Sequence, residues 1–85
     1  MRGVLYMKKI IDDIIFECHK IEEDEKKEKY EIIRINKYNS WKTIQFLYFN
    51  KETNKYENGI SIHDSLDESM IDACNRHIRM LNSLE

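Results

Sequence analysis

The chain has no proline and only two glycines, Gly3 and Gly59. That scarcity argues against a Pro- or Gly-rich linker and against a disordered tail. It also leaves few ways to shape a tight active-site loop, and the phosphate-cradling patterns GxGxxG and GxxxxGK(S/T) are absent. The two cysteines, Cys18 and Cys74, are too few for a disulfide framework. No segment approaches the roughly 18 apolar residues needed to span a bilayer. The opening MRGVLYMKK lacks the pattern of a secretory signal. A cytoplasmic, reducing setting is therefore expected. Charge of one sign is lacking too: a net −2 gives no large field for nucleic acid or membrane.

What is present fits one domain, residues 1–85, at 41% hydrophobic and 35% charged. Met7 followed by Lys8-Lys9 reads as an alternative start, so Met1 to Tyr6 are expected to be dispensable to the fold. From Met7 the apolar residues Met7, Ile10, Ile11, Ile14, Ile15, Cys18 and Ile21 fall at offsets 0, 3, 4, 7, 8, 11 and 14. That spacing matches one face of an α-helix. The charged run EEDEKKEK, residues 22 to 29, then reads as a solvated last turn and a connection rather than a docking patch.

YEIIRINKY (30–38), WKTIQFLYFN (41–50) and KYENGISIH (55–63) read as three strands, joined at Asn39-Ser40 and at KETN (51–54). Gly59 suggests a bulge or a close backbone approach. Short connections favour an antiparallel meander. Ser65-Leu66-Asp67-Glu68 fits a capping box, and Leu66, Met70, Ala73, Cys74, His77, Leu81 and Leu84 share a stripe on a second helix. The expected fold is α+β, α-β-β-β-α, a three-stranded antiparallel meander packed against two helices.

Candidate chemistry is sparse. Cys74-x-x-His77 spaces two zinc-type ligands one helical turn apart, and Cys18-His19 adds neighbours that splay by about 100° on a helix. Both cysteines lie on apolar stripes, where a thiol behaves as a small hydrophobe. No metal and no cofactor are expected. Asp12-Asp13 and Asp67-Glu68 are adjacent rather than convergent, and nothing supplies oxyanion donors, so no enzyme is expected. His63, at a strand end beside Asp64, reads as an end cap or a binding histidine.

The central strand raises the functional question. Alternation puts Ile44 and Phe46 on one face with Ile33, Ile35, Ile60 and Ile62, which forms a plausible core. Trp41, Leu47 and Phe49, with Tyr30 or Ile32, then stand on the second face. Cover from within the chain, or a bulge that reverses the faces past Gln45, is the intramolecular alternative. Otherwise a contiguous apolar patch marks an interface, and Trp, Tyr and Arg lead among hot-spot residues. The expected partner is a protein, with a homodimer as one form. A nucleic-acid module is the alternative, stacking bases on Tyr30, Tyr38, Trp41 or Phe49 with Arg34 and Lys42 nearby. The same element order occurs in double-stranded-RNA-binding domains, but Asp64, Ser65, Asp67 and Glu68 would repel phosphate at the start of the second helix.

Strand Trp41 to Asn50, turn Lys51 to Asn54, strand Tyr56 to Ile62 and the acidic opening Asp64-Ser65-Leu66-Asp67-Glu68 carry one family comparison. In that order of elements, over roughly residues 30 to 80, the chain resembles the small phage-borne anti-CRISPR inhibitors of type II CRISPR nucleases. The resemblance implies a protein that occupies a nuclease's DNA-reading surface. It also implies that Asp64, Asp67, Glu68 and Asp72 imitate phosphates. The function expected is thus a small non-enzymatic inhibitor or adaptor, of phage or mobile-element origin, that binds through Trp41, Leu47, Phe49, Tyr30 and Arg34 or through those acids.

Overall fold

A computed structural model of the protein describes residues 3–84. Strands β1 (Val4–Ile11), β2 (Ile14–Glu23), β3 (Lys27–Ile35), β4 (Trp41–Asn50), β5 (Lys55–Glu57) and β6 (Ile62–His63) precede helix α1 (Leu66–Ser83). The six strands form one antiparallel sheet in the order β1-β2-β3-β4-β5-β6. The sheet curls into a half-barrel with α1 on one side. No helix among the described residues is long and apolar enough to cross a membrane.

This corrects the expected α-β-β-β-α order: the first predicted helix is a β-hairpin, and α1 is the only helix among the described residues. The same spacings serve both structures. Ile11 and Ile14, three apart as on a helix, are the closing pair of a two-residue hairpin. Ile10 pairs with Ile15 and Met7 with Cys18, so the apolar stripe is also a ladder of cross-strand neighbours. Asp12 and Asp13 take φ of 52° and 63°, the left-handed pair that a type I′ turn requires. Isoleucines at 10, 11, 14 and 15 favour extended backbone at χ1, which tips the balance.

The charged run proves to be strand ends flanking a turn. Asp24 Oδ1 accepts from the N–H groups of Lys26 (2.7 Å) and Lys27 (2.9 Å), which closes the β2–β3 connection. Asn36 does the same before β4, accepting from the N–H groups of Tyr38 and Ser40. Left-handed Asn39 and Asn54 complete the two following turns. The predicted strand 55–63 is split into β5 and β6 by a loop around Gly59, whose φ of 89° suits glycine. Ser65 caps α1, its Oγ accepting from the Glu68 N–H at 3.1 Å.

Register settles which residues are inside. Cys18 pairs with Ile32, and Tyr30 pairs with both Lys20 and Leu47. Phe16, Cys18, Tyr30, Ile32 and Leu47 therefore share the face that meets Met70, Ala73, Cys74 and Ile78 of α1. In β4 a bulge intervenes: Ile32 pairs with Gln45 but Ile33 with Thr43, which leaves Ile44 as the extra residue. Beyond it Leu47 faces the helix, fully buried, and Phe46 faces away, 41% exposed. The sequence-based assignment of Phe46 to the core and Leu47 to the open face is thereby reversed. Ile33 and Ile35 also lie on the helix-free face, paired with Thr43 and Trp41, and Ile60 and Ile62 are 75% and 65% exposed.

Of the segment Met1 to Tyr6, residues 3–6 are part of this framework, while Met1 and Arg2 lie outside the described residues. Val4 and Leu5 pair with Lys20 and His19, and the Tyr6 ring meets Tyr30 edge-on at 5.4 Å. A Cβ on Gly3 would lie 1.7 Å from the Lys20 carbonyl oxygen, so only glycine lets the chain pass there.

Candidate functional site

The helix-free sheet face carries one continuous apolar row across four strands. Ile10 pairs with Ile15, Ile15 with Ile35, and Ile35 with Trp41. The two ends of the row are open, Ile10 at 66% and Trp41 at 53% exposure, and Tyr38 in the adjoining turn is 76% exposed. The next row is Lys8, Glu17, Ile33 and Thr43. There Glu17 Oε1 meets His19 Nε2 at 2.8 Å, while His19 Nδ1 donates to the Gly3 carbonyl at 3.3 Å. Thr43 Oγ1 donates to Glu31. Farther along, Lys29 Nζ lies 4.5 Å from the Phe46 ring centre and Lys27 Nζ 4.9 Å from that of Tyr48. By register, Lys8, Lys27, Lys29 and Lys55 share this face with Glu17, Glu22, Glu31 and Glu57, so its charge balances.

The predicted partner-binding residues separate accordingly. Trp41 is on this surface. Leu47 and Tyr30 are core residues, and Phe49 packs against the core and against Tyr56, ring centres 4.7 Å apart. The β4 bulge is the reason: it sends Trp41 and Leu47, six residues apart, to opposite faces. Its signal in the sequence is the apolar alternation that loses its clean side around Ile44–Gln45.

The acids at the start of α1 are engaged within the chain. Asp64 pairs with Lys55 and Asp67 with Lys9. Glu68 is 3.9 Å from His63 Nδ1. Asp72 Oδ2 accepts from Ser61 Oγ, Asn58 Nδ2 (3.1 Å), His63 Nε2 (3.1 Å) and Arg76 Nη1 (2.9 Å). Those donors, Ser61 foremost and then His63 and Asn58, hold the Asp72 carboxyl well below the usual carboxylate range. Serine, histidine and aspartate thus meet, but both Ser61 Oγ and Asp72 sit at the same ring nitrogen, His63 Nε2. A nucleophilic triad needs the histidine to bridge with its two nitrogens. This cluster instead ties the 58–61 loop to the helix.

Burial pushes the thiols of Cys18 and Cys74 up to about 12, with Cys74 adding to the rise at Cys18, so neither supplies thiolate near neutral pH. Among the described residues no three His, Cys, Asp or Glu side chains converge as a metal-ligand set.

One cationic spot remains. Arg34 and Lys42 are direct cross-strand neighbours on the helix-covered face, at the margin of the sheet. Arg34 Nη1 donates to His77 Nε2 at 3.1 Å. Burial first, then the charges of Arg34 and Lys42, holds the His77 imidazole below its ordinary pKa, so it accepts as a neutral ring. Arg34, Lys42, Asn36, Ser40 and Trp41 line a depression of about 110 Å³.

No protein-family model, no curated protein and no solved structure matches the chain.

Proposed function

We propose that the chain is a non-enzymatic binding domain that takes a protein partner on the helix-free face of its sheet. The observation that carries this reading is the row Ile10–Ile15–Ile35–Trp41, apolar across four strands with both ends open to solvent. An exposed tryptophan at the end of such a row fits a binding anchor. Balanced lysines and glutamates around it suit a protein surface better than a nucleic-acid backbone, which would favour uncompensated positive charge. Two buried free thiols suit a reducing compartment such as the cytoplasm.

The narrower reading, an anti-CRISPR-like inhibitor, draws on the order of elements from Trp41 onward. Phosphate mimicry by the acids draws little support, because Asp64, Asp67 and Asp72 already meet Lys55, Lys9 and Arg76. An inhibitor of this shape would act through the apolar row instead.

Quantitative capture from host lysate tests the proposal with Ile10→Glu and Trp41→Glu at the two ends of the row. Arg79→Glu, on the exposed side of α1, serves as the control. Proteins retained by wild type and the control but lost from both row variants are the expected result. Identical recovery by all four proteins refutes the assignment. Light scattering separates the homodimeric form: a dimer abolished by both row variants makes the partner a second copy.

A further inference from the structure

We propose that Arg34, Lys42, Ser40 and Asn36 form a binding site for a single phosphate-class dianion, either free phosphate or a phosphate monoester. This inference stands independently of the apolar row.

Like charges directly opposite in adjacent strands repel and destabilise the pairing, a cost that a bound anion would remove. Arg34 and Lys42 are such a pair. Among the described residues neither has a carboxylate within 4.0 Å, so the two charges face each other uncompensated. Among the described residues the side chain hydrogen-bonded to Arg34 is His77, a neutral acceptor that orients the guanidinium without neutralising it.

The neighbouring turn adds neutral donors. Asn36 Oδ1 is committed to the Tyr38 and Ser40 N–H groups at 2.9 and 3.0 Å, which fixes that turn and leaves the Asn36 amide nitrogen outside those bonds. Ser40 and Asn36 line the same depression as the two cations. Its volume of about 110 Å³ has room for a tetrahedral oxyanion. A guanidinium, an ammonium, a hydroxyl and an amide around so small a space match a phosphate's oxygens, and a dianion relieves the repulsion that a monoanion would only halve.

Amide chemical-shift titrations at constant ionic strength test this, using inorganic phosphate and O-phosphoserine as probes and chloride as the reference. Saturable shifts confined to residues 34–42 and 77 are expected. Lys42→Gln, on an exposed side chain, should weaken the apparent affinity at least about tenfold. Lys8→Gln, on the opposite face, should leave it unchanged. Equal affinity for both probes identifies free phosphate as the ligand, and tighter binding of phosphoserine identifies a phosphorylated side chain; both outcomes support the site. Linear, unsaturable shifts overturn it, as does a Lys42→Gln response equal to wild type. Binding seen only with a single-stranded oligonucleotide overturns it as well.

Discussion

Replacing Leu47 by alanine probes the register of the central strand, because the opposite register puts Phe46 in the core. Leu47 is fully buried among Tyr30, Ile32 and the helix residues Met70 and Cys74. Truncating a leucine in such a site removes its transfer free energy and leaves a cavity that relaxes only in part, which costs about 3–5 kcal/mol. A chain of 85 residues holds roughly 4–13 kcal/mol in all. Leu47→Ala should therefore consume a large part of the stability and lower Tm by at least about 10 °C. Phe46 is 41% exposed on the helix-free face, with Lys29 across its ring. Phe46→Ala forfeits about 1–2 kcal/mol of partial burial and cation–π attraction, with no enclosed cavity. Urea denaturation followed by circular dichroism measures both variants, with unchanged m-values showing that only stability has moved. If Phe46→Ala proves as costly as Leu47→Ala, or costlier, the bulge at Ile44 and the faces built on it are wrong.

Asp13→Gly separates the hairpin from a helix. At a φ of 63° glycine relieves backbone strain and should stabilise by about 0.5–1 kcal/mol, whereas inside a helix it would destabilise by about as much; thermal unfolding gives the sign. Asp72→Asn should cost about 1–3 kcal/mol at pH 7, since it removes the charge that Ser61, His63, Asn58 and Arg76 share. Because the Asp72 carboxyl is depressed in the fold, its contribution is present above its unfolded value near 3.8 and is lost as pH falls below it. The gap between wild type and Asp72→Asn in denaturation should thus close as pH falls through that range, and a gap that persists at the lowest pH contradicts the assignment.

The sequence was legible where a signal is local and has one meaning. Ser65 with Glu68 three residues on, followed by Leu66, Met70, Ala73, Cys74 and His77, marks a capped amphipathic helix, and α1 begins and packs accordingly. The run Trp41 to Asn50 is a strand in both readings. The stretch from Met7 to Ile21 reads as a helix because paired isoleucines at 10, 11 and 14, 15 satisfy a period of 3.6 and a two-residue hairpin alike. Only the turn at Asp12-Asp13 distinguishes the two, and Asp-Asp is a weaker hairpin signal than Asn-Gly. Of the site, Trp41 and Arg34 were visible as exposed-type residues in a strand. Leu47 and Phe49 were placed on the wrong side because a single extra residue, Ile44, reverses every side chain beyond it.

The amino-acid sequence by itself determined the start of α1 and the positions of the Asn- and Gly-bearing turns. Those features follow from the preferences of a few neighbouring residues. Tertiary structure alone decided that residues 4 to 23 pair as strands, that the apolar row crosses four of them, and that Arg34 meets Lys42 and His77. Each depends on backbone pairing between distant segments, whose energy is gained only when the whole sheet closes over its helix.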